Sequence, residues 1–179
     1  GNNAPAASGS AAASGDKVIK IGVFEPASGD SASGGKKEIL GMQYANSETP
    51  TVELNGETYQ IELVMADNGS STDKAPSAAA DLIAANVSLV LGSYGSGVSM
   101  AAGPLFGDAG LAFGNAGISA IGVTCTNPNV TAGNDYYFRI CFLDDFQANV
   151  LANFAMDKFG AKVAYCLGER GNEYDQGLI

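Results

Sequence analysis

The sequence predicts an α/β fold, a doubly wound parallel sheet with helices on both faces. Three observations predict it. Short apolar, β-branched runs alternate with longer stretches of helical spacing from about residue 18 onward. Turns of Gly and Ser follow several of those runs, where a strand hands over to a helix. One run, Leu89-Val90-Leu91, is continuously apolar, as a strand covered on both faces would be.

The elements follow in order. Residues 1–16 are Ala, Ser, Gly, Asn and Pro with one charge and no apolar periodicity, and they read as a flexible tether. A tether at the start suggests a mature chain whose targeting segment has been removed. Residues 18–24 (VIKIGVF) alternate and form the first strand, and the turn Pro26 to Gly29 ends it. Residues 34–46 carry Ile39, Leu40, Met42, Tyr44 and Ala45 at roughly helical spacing. Asn55-Gly56 is a hairpin turn. Residues 59–65 (YQIELVM) form the next strand. The polar loop 67–72 leads into a helix over 73–86, with Pro76 in its tolerant first turn.

After Leu89–Leu91 come Gly92, Gly95 and Gly97 with Ser93, Ser96 and Ser99 interleaved, then a helix from about Val98 to the Gly103-Pro104 break or slightly past it. Leu111 to Gly114 reads as a further buried strand, ending in the small-residue turn Asn115 to Ser119. Residues 136–142 (YYFRICF) are strand-like, and 146–159 read as an amphipathic helix with Val150, Leu151, Phe154, Ala155 and Phe159 on one side. Residues 162–167 are a strand, 168–175 a polar loop, and 176–179 the first turn of a helix. In such sheets a ligand sits beyond the carboxyl ends of the strands. The loops 26–33, 93–97 and 115–119 are expected to meet there.

Composition narrows the function. The net charge of −10 excludes nucleic acid or anionic lipid as a partner held by bulk electrostatics. No run approaches the length of a membrane span. With no His, a Ser-His-Asp triad is impossible and the commonest metal ligand is missing. The three Cys have no zinc spacing, so no metal, cofactor or catalytic residue is assigned. Spacing leaves open both a Cys125–Cys141 disulfide and three buried free thiols. The turn Gly92–Gly97 departs from G-x-G-x-x-G and no Walker lysine follows, so a phosphate loop of a nucleotide-dependent enzyme is the weaker reading. A strand, a Gly/Ser turn and a helix N-terminus still favour an anion. The edge offers hydroxyls and backbone donors but little reactive machinery, which favours holding a ligand over transforming it.

Ile19 to Val23 with Pro26 and Gly29, Val90-Leu91-Gly92 ending in Ser96, and Gly110 to Ser119 form a series of segments. Thr126-Asn127-Pro128, Tyr137-Phe138-Arg139, Asp144 and Gln147, and finally Tyr174 with Gly177, continue it. In the order and spacing of these segments the sequence resembles the extracytoplasmic leucine/isoleucine/valine-binding proteins of ABC importers, the type I periplasmic binding protein fold. The resemblance implies an N-terminal ligand-binding lobe, incomplete, over 17–140, and a hinge crossing with the first βα piece of a second lobe over 141–179. Relatives are about twice as long, so the chain is expected to be a fragment.

The resemblance also implies the site. Ser96 would bind the α-carboxylate through its hydroxyl and N–H, with Tyr94 and Gly95 beside it. The Gly117 carbonyl would accept from the ammonium, Ser119 would contact both groups, and Tyr174 would close from the other lobe. Ser33 stands where relatives often carry an aromatic residue, and the loops at 67–70 and Gly95 lack the cysteines that bridge them in some members. A Cys125–Cys141 disulfide becomes the expected alternative brace. The implied function is capture of an amino acid, branched-chain first, for a membrane permease of an ABC importer. The protein would be a monomer outside the cytoplasm, touching the membrane only through a lipid anchor upstream of Gly1. An amide, urea or aromatic-acid binder, or a receptor's sensing domain, would share the fold.

Overall fold

The computed structural model of the chain describes residues 17–112 and 117–179. The tether expected over 1–16 lies outside them, as do residues 113–116. The described strands form one six-stranded sheet in the order β2-β3-β1-β4-β5-β6. These are β1 (Val18–Glu25), β2 (Thr51–Leu54), β3 (Glu57–Asp67), β4 (Leu89–Leu91), β5 (Ser119–Gly122) and β6 (Tyr137–Arg139). Among the described residues only the β2–β3 pair is antiparallel. Its turn is the expected Asn55-Gly56, both with positive φ (52° and 79°), the geometry in which a two-residue hairpin turn matches the strand twist.

The helices are α1 (Ala32–Glu48), α2 (Ala75–Ala84), α3 (Ser96–Ala112), α4 (Asp144–Phe159) and α5 (Glu173–Leu178). The core lies between the sheet and the α2/α3 layer. The register places Val64, Gly22, Val90, Ala120 and Tyr137 in one row across β3, β1, β4, β5 and β6, so their side-chain positions share a face. Leu82 of α2 fills the space that Gly22 leaves: a Cβ at Gly22 would lie 3.0 Å from Leu82 Cδ1 and 3.3 Å from Val87 Cγ2. Phe24, Phe106 and Tyr137 pack edge to face, with centroids 5.6 and 6.4 Å apart. On the other face α1 covers β1 and β3, while Met65 and Phe138 remain exposed.

Three expectations change. Leu111 and Ala112 belong to the end of α3, which continues through Pro104 instead of breaking there. An apolar run of this length fits a helix end as well as a buried strand. The fourth parallel strand is instead β5, which begins at Ser119. The run 162–167 forms no strand among the described residues, and Val163, Tyr165 and Leu167 are each at least 87% exposed. A strand needs a neighbouring ladder, and none stands beside it. Finally, the apolar side of α4 is open: Val150, Leu151 and Phe154 are exposed, and only Asp144 of that helix is buried.

Candidate functional site

A cleft of about 550 Å³ opens at the carboxyl ends of β1, β4 and β5, where the strand polarity requires a ligand site to be. Two loops supply its floor. The first, after β4, runs from Gly92 to the start of α3. Gly92 has φ 130° and packs against the Phe24 carbonyl, so a side chain there would meet backbone. Ser93 is fully buried; its Oγ accepts from Asn68 Nδ2 at 3.0 Å, and its N–H donates to Ser99 Oγ at 3.3 Å. Ser99 in turn donates to the Gly95 carbonyl at 2.8 Å. Small hydroxyl residues alternate with glycine here because the turn is held by its own side chains.

Ser96 opens α3 and is 2% exposed. Its Oγ accepts from the Asn127 N–H at 3.2 Å, which ties the first loop to the second. Tyr94, Gly95, Ser96, Gly97 and Val98 all line the cleft, so the unpaired first N–H groups of a long helix border it.

The second loop, 123–127, follows β5. Thr124 and Thr126 line the cleft. Thr126 is 5% exposed, and its hydroxyl has no hydrogen-bond partner among the described residues. Arg139 of β6 holds this loop from behind. One guanidinium nitrogen donates to the carbonyls of Cys125 (3.1 Å) and Asn127 (3.0 Å). The other donates to the Pro128 carbonyl (3.1 Å) and Thr131 Oγ1 (2.7 Å). Such a planar fork fixes several carbonyls at once. Neither the two threonines nor Arg139 was singled out as a site residue from sequence. The available signal was the polar run Thr124-Cys125-Thr126-Asn127-Pro128 directly after an apolar strand.

The loops after β1 and β3 are joined beside the cleft. Asp67 Oδ1 accepts from the N–H groups of Ala27, Ser28 and Gly69 at 2.8, 3.2 and 2.9 Å. Burial pushes the Asp67 carboxyl up, and hydrogen bonds from Ser28, Gly69 and Ala27 outweigh it, holding the group below its ordinary value. The opposite wall is the N-terminal part of α5. Asn172 caps it, accepting from the N–H groups of Tyr174 and Asp175. The Asn127 amide donates to the Glu173 carbonyl at 2.6 Å, and the Tyr174 hydroxyl accepts from Gln147 Nε2 at 2.7 Å.

The structure therefore brings Tyr94, Gly95, Ser96 and Tyr174 together in one cleft. It does not bring Gly117 and Ser119 there. Ser119 is the first residue of β5 and pairs with Leu89, the first residue of β4. Gly117 packs against Tyr136 and the Phe106 carbonyl. Both lie at the amino-terminal edge of the sheet, about 10 Å from the cleft edge at some 3.3 Å per strand residue. The cause is the misplaced fourth strand: a turn that was to follow a strand precedes one.

The expected disulfide is not formed, and Cys125 and Cys141 are free thiols. Cys141 Sγ donates to the Cys125 carbonyl at 3.5 Å. Burial pushes the Cys125 thiol up to about 11, and burial raises Cys141 as well. Among the described residues no group of three or more His, Cys, Asp or Glu side chains is placed to hold a metal ion, and no helix is long and apolar enough to cross a membrane.

Comparison with known proteins assigns the fold. The family model described as "Periplasmic binding protein" matches residues 18–178. The chain belongs to the periplasmic binding protein family. It is 31% identical over 163 residues to Leu/Ile/Val-binding protein homolog 1 of Brucella abortus, an alignment covering 89% of this chain and 41% of that protein. The leucine-binding protein LivK of Thermotoga maritima superposes with a TM-score of 0.81 at 32% identity, over 90% of this chain and 43% of that one. LivJ of Streptococcus pneumoniae, a branched-chain amino acid transporter substrate-binding protein solved with isoleucine, superposes at 0.70 and 33% identity, over 82% and 40%. The chain thus spans about two-fifths of the length of these relatives.

Proposed function

We propose that the cleft captures an α-amino acid, branched-chain first, for delivery to the permease of an ABC importer outside the cytoplasm. The observation that carries this reading is the Thr126 hydroxyl, which is buried, unpartnered and beside Ser96 at the start of α3. A buried hydroxyl without a partner costs free energy until something supplies a hydrogen bond. A carboxylate would accept from Thr126, from Ser96 and from the first N–H groups of α3. Charge-assisted bonds of this kind contribute roughly 1.5–3 kcal/mol each. A few of them with apolar burial reach the roughly −8 kcal/mol of micromolar binding.

In this reading residues 17–140 belong to the first lobe, and Tyr174, in the segment 141–179, closes on the ligand from the second. The names of the similar proteins support a leucine, isoleucine or valine ligand. Binding and release are the whole of the task, with no bond made or broken. A lipid anchor upstream of Gly1 is part of the proposal; intact-mass analysis of the native protein tests it, and an unmodified N-terminus overturns it.

The test of function is a thermal-shift panel of the protein with the twenty amino acids, benzoate-type acids and nucleotides. The reading predicts stabilisation by Leu, Ile or Val, about 2.7 kcal/mol at a hundred times Kd. A shift only with an aromatic acid or a nucleotide, or none with any α-amino acid, overturns it.

A further inference from the structure

The central strand ends on a carboxyl that the ligand reading does not use. Glu25, the last residue of β1, is 1% exposed, and among the described residues no Lys or Arg pairs with it. Its Oε2 accepts from the Tyr94 N–H at 2.8 Å. Its Oε1 is buried and has no N–H or O–H partner among the described residues. Glu38, one turn and a half into α1, mirrors this arrangement. Its Oε1 accepts from the Thr124 hydroxyl at 2.5 Å, and its Oε2 is buried without a donor.

Neighbouring anchors bring the two carboxyls together: Glu25 hangs on the Tyr94 N–H, and Glu38 on the Thr124 hydroxyl, which lies 3.2 Å from the Tyr94 carbonyl. Two ionised carboxylates are acceptors only and would repel at this contact; one proton between them turns the same contact into a hydrogen bond. The result is a closed circuit. The Tyr94 N–H reaches Glu25, Glu38 accepts from Thr124, and the Thr124 hydroxyl lies 3.2 Å from the Tyr94 carbonyl, so that a hydrogen bond between the two carboxyls closes the ring. Tyr94 and Thr124 stand on the two loops that floor the cleft.

We infer that Glu25 and Glu38 share one proton and form a positioning pair, which locks the two ligand loops together so that cleft geometry and affinity follow the protonation of the pair. The affinity part rests on the cleft being the ligand site; the shared proton does not. Burial first, then the Glu38 carboxyl, raises Glu25 above its ordinary range, and the Tyr94 N–H offsets only part of that.

The other groups facing the pair do not compete in the neutral range. From β6, the Tyr137 phenol is held well above its usual value by burial and donates to the Gly92 carbonyl at 2.9 Å. Cys125 and Cys141 are raised by burial. The Arg139 guanidinium is engaged by the carbonyls of the second loop, and Asp67, at the end of β3, by three N–H groups. Lys36 and Lys37 of α1 are exposed.

A raised carboxyl has a definite linkage sign. The folded protein keeps the proton where the unfolded chain has lost it. The pair's stabilisation is complete below about pH 4.5 and is lost as pH rises toward the raised value.

The test is the thermal midpoint from about pH 5 to about pH 9 for wild type, Glu25→Gln and Glu25→Ala, with Glu38→Gln as a second route should Glu25→Gln not fold. A glutamine at 25 accepts from the Tyr94 N–H and donates to Glu38 with no shared proton. The wild-type midpoint should therefore fall with rising pH relative to Glu25→Gln, and Glu25→Ala should be destabilised at every pH. Infrared spectra at neutral pH should show a protonated-carboxyl C=O band in wild type that Glu25→Gln lacks. L-Leucine affinity should hold steady from about pH 5 to about pH 9 in wild type, where the folded pair keeps its proton, and should be weaker in Glu25→Ala, which breaks the link between the two loops. Equal pH slopes, or no such band, overturn the pair. A difference in slope without leucine binding at any pH supports the shared proton and overturns the ligand assignment instead.

Discussion

Thr126→Val separates a ligand contact from a structural one more sharply than any other change in the cleft. Valine keeps the volume and β-branching of threonine and removes only the hydroxyl. That hydroxyl is buried, and no group among the described residues bonds it. In the free protein the change therefore removes an unsatisfied polar atom, and stability should hold or rise by up to about 1 kcal/mol. In the complex it removes one charge-assisted hydrogen bond, about 1.5–3 kcal/mol, or roughly ten- to hundredfold in Kd. Two assays on one sample decide the matter: the thermal midpoint without ligand, and calorimetric titration with L-leucine. Affinity unchanged by the substitution would refute the placement of the ligand against the second loop. Stability lowered by more than about 1 kcal/mol would show that the hydroxyl serves the fold instead.

Ser96→Ala should behave differently, because Ser96 Oγ already accepts from the Asn127 N–H. It should lower both stability and leucine affinity, each by about 1–3 kcal/mol, by thermal unfolding and titration. Ser119→Ala, at the far edge of the sheet, should leave leucine affinity within about twofold; a loss of tenfold would return that residue to the site. Thiol titration of the unfolded, unreduced protein should count three free cysteines, and in the folded protein only the exposed Cys166 should react quickly. A count of one would restore the disulfide. Gly22→Ala should destabilise by about 1–3 kcal/mol in thermal unfolding, since its Cβ would meet Leu82 and Val87.

The fold was legible in the sequence wherever one signal had one structural meaning. Alternation in residues 18–24 and the Asn55-Gly56 turn admit few alternatives, and β1 and the β2–β3 hairpin stand where they were expected. The place of Ser96 at the start of α3, on the cleft, was legible because a strand followed by a Gly/Ser turn leads directly to a helix N-terminus. Legibility failed where two structures share one pattern. Leu111-Ala112-Phe113 between glycines is as apolar as a buried strand, yet its first two residues close α3. That single shift put the predicted ligand turn before β5 instead of after it, so Gly117 and Ser119 were chosen at the edge away from the cleft, and the cleft-lining Thr124 and Thr126 were passed over. Pro104 reads as a break, but tertiary contacts outweigh propensity: the Gly103 carbonyl takes a hydrogen bond from Asn134 at 3.0 Å, and Phe106 is fully buried. The inferred Glu25–Glu38 pair joins residues thirteen apart, on a strand and a helix, through burial that no local pattern encodes.

The central claim is that the two loops cradle the carboxylate of an α-amino acid. Its most direct measurement is a paired titration of the protein with L-leucine and with L-leucinamide, which keeps the side chain and ammonium but loses the charge on the carboxyl end. The account predicts that leucine binds and that the amide is weaker by at least about tenfold, the loss of one charge-assisted hydrogen bond or more. Equal affinity for the two, or binding of neither, would contradict it.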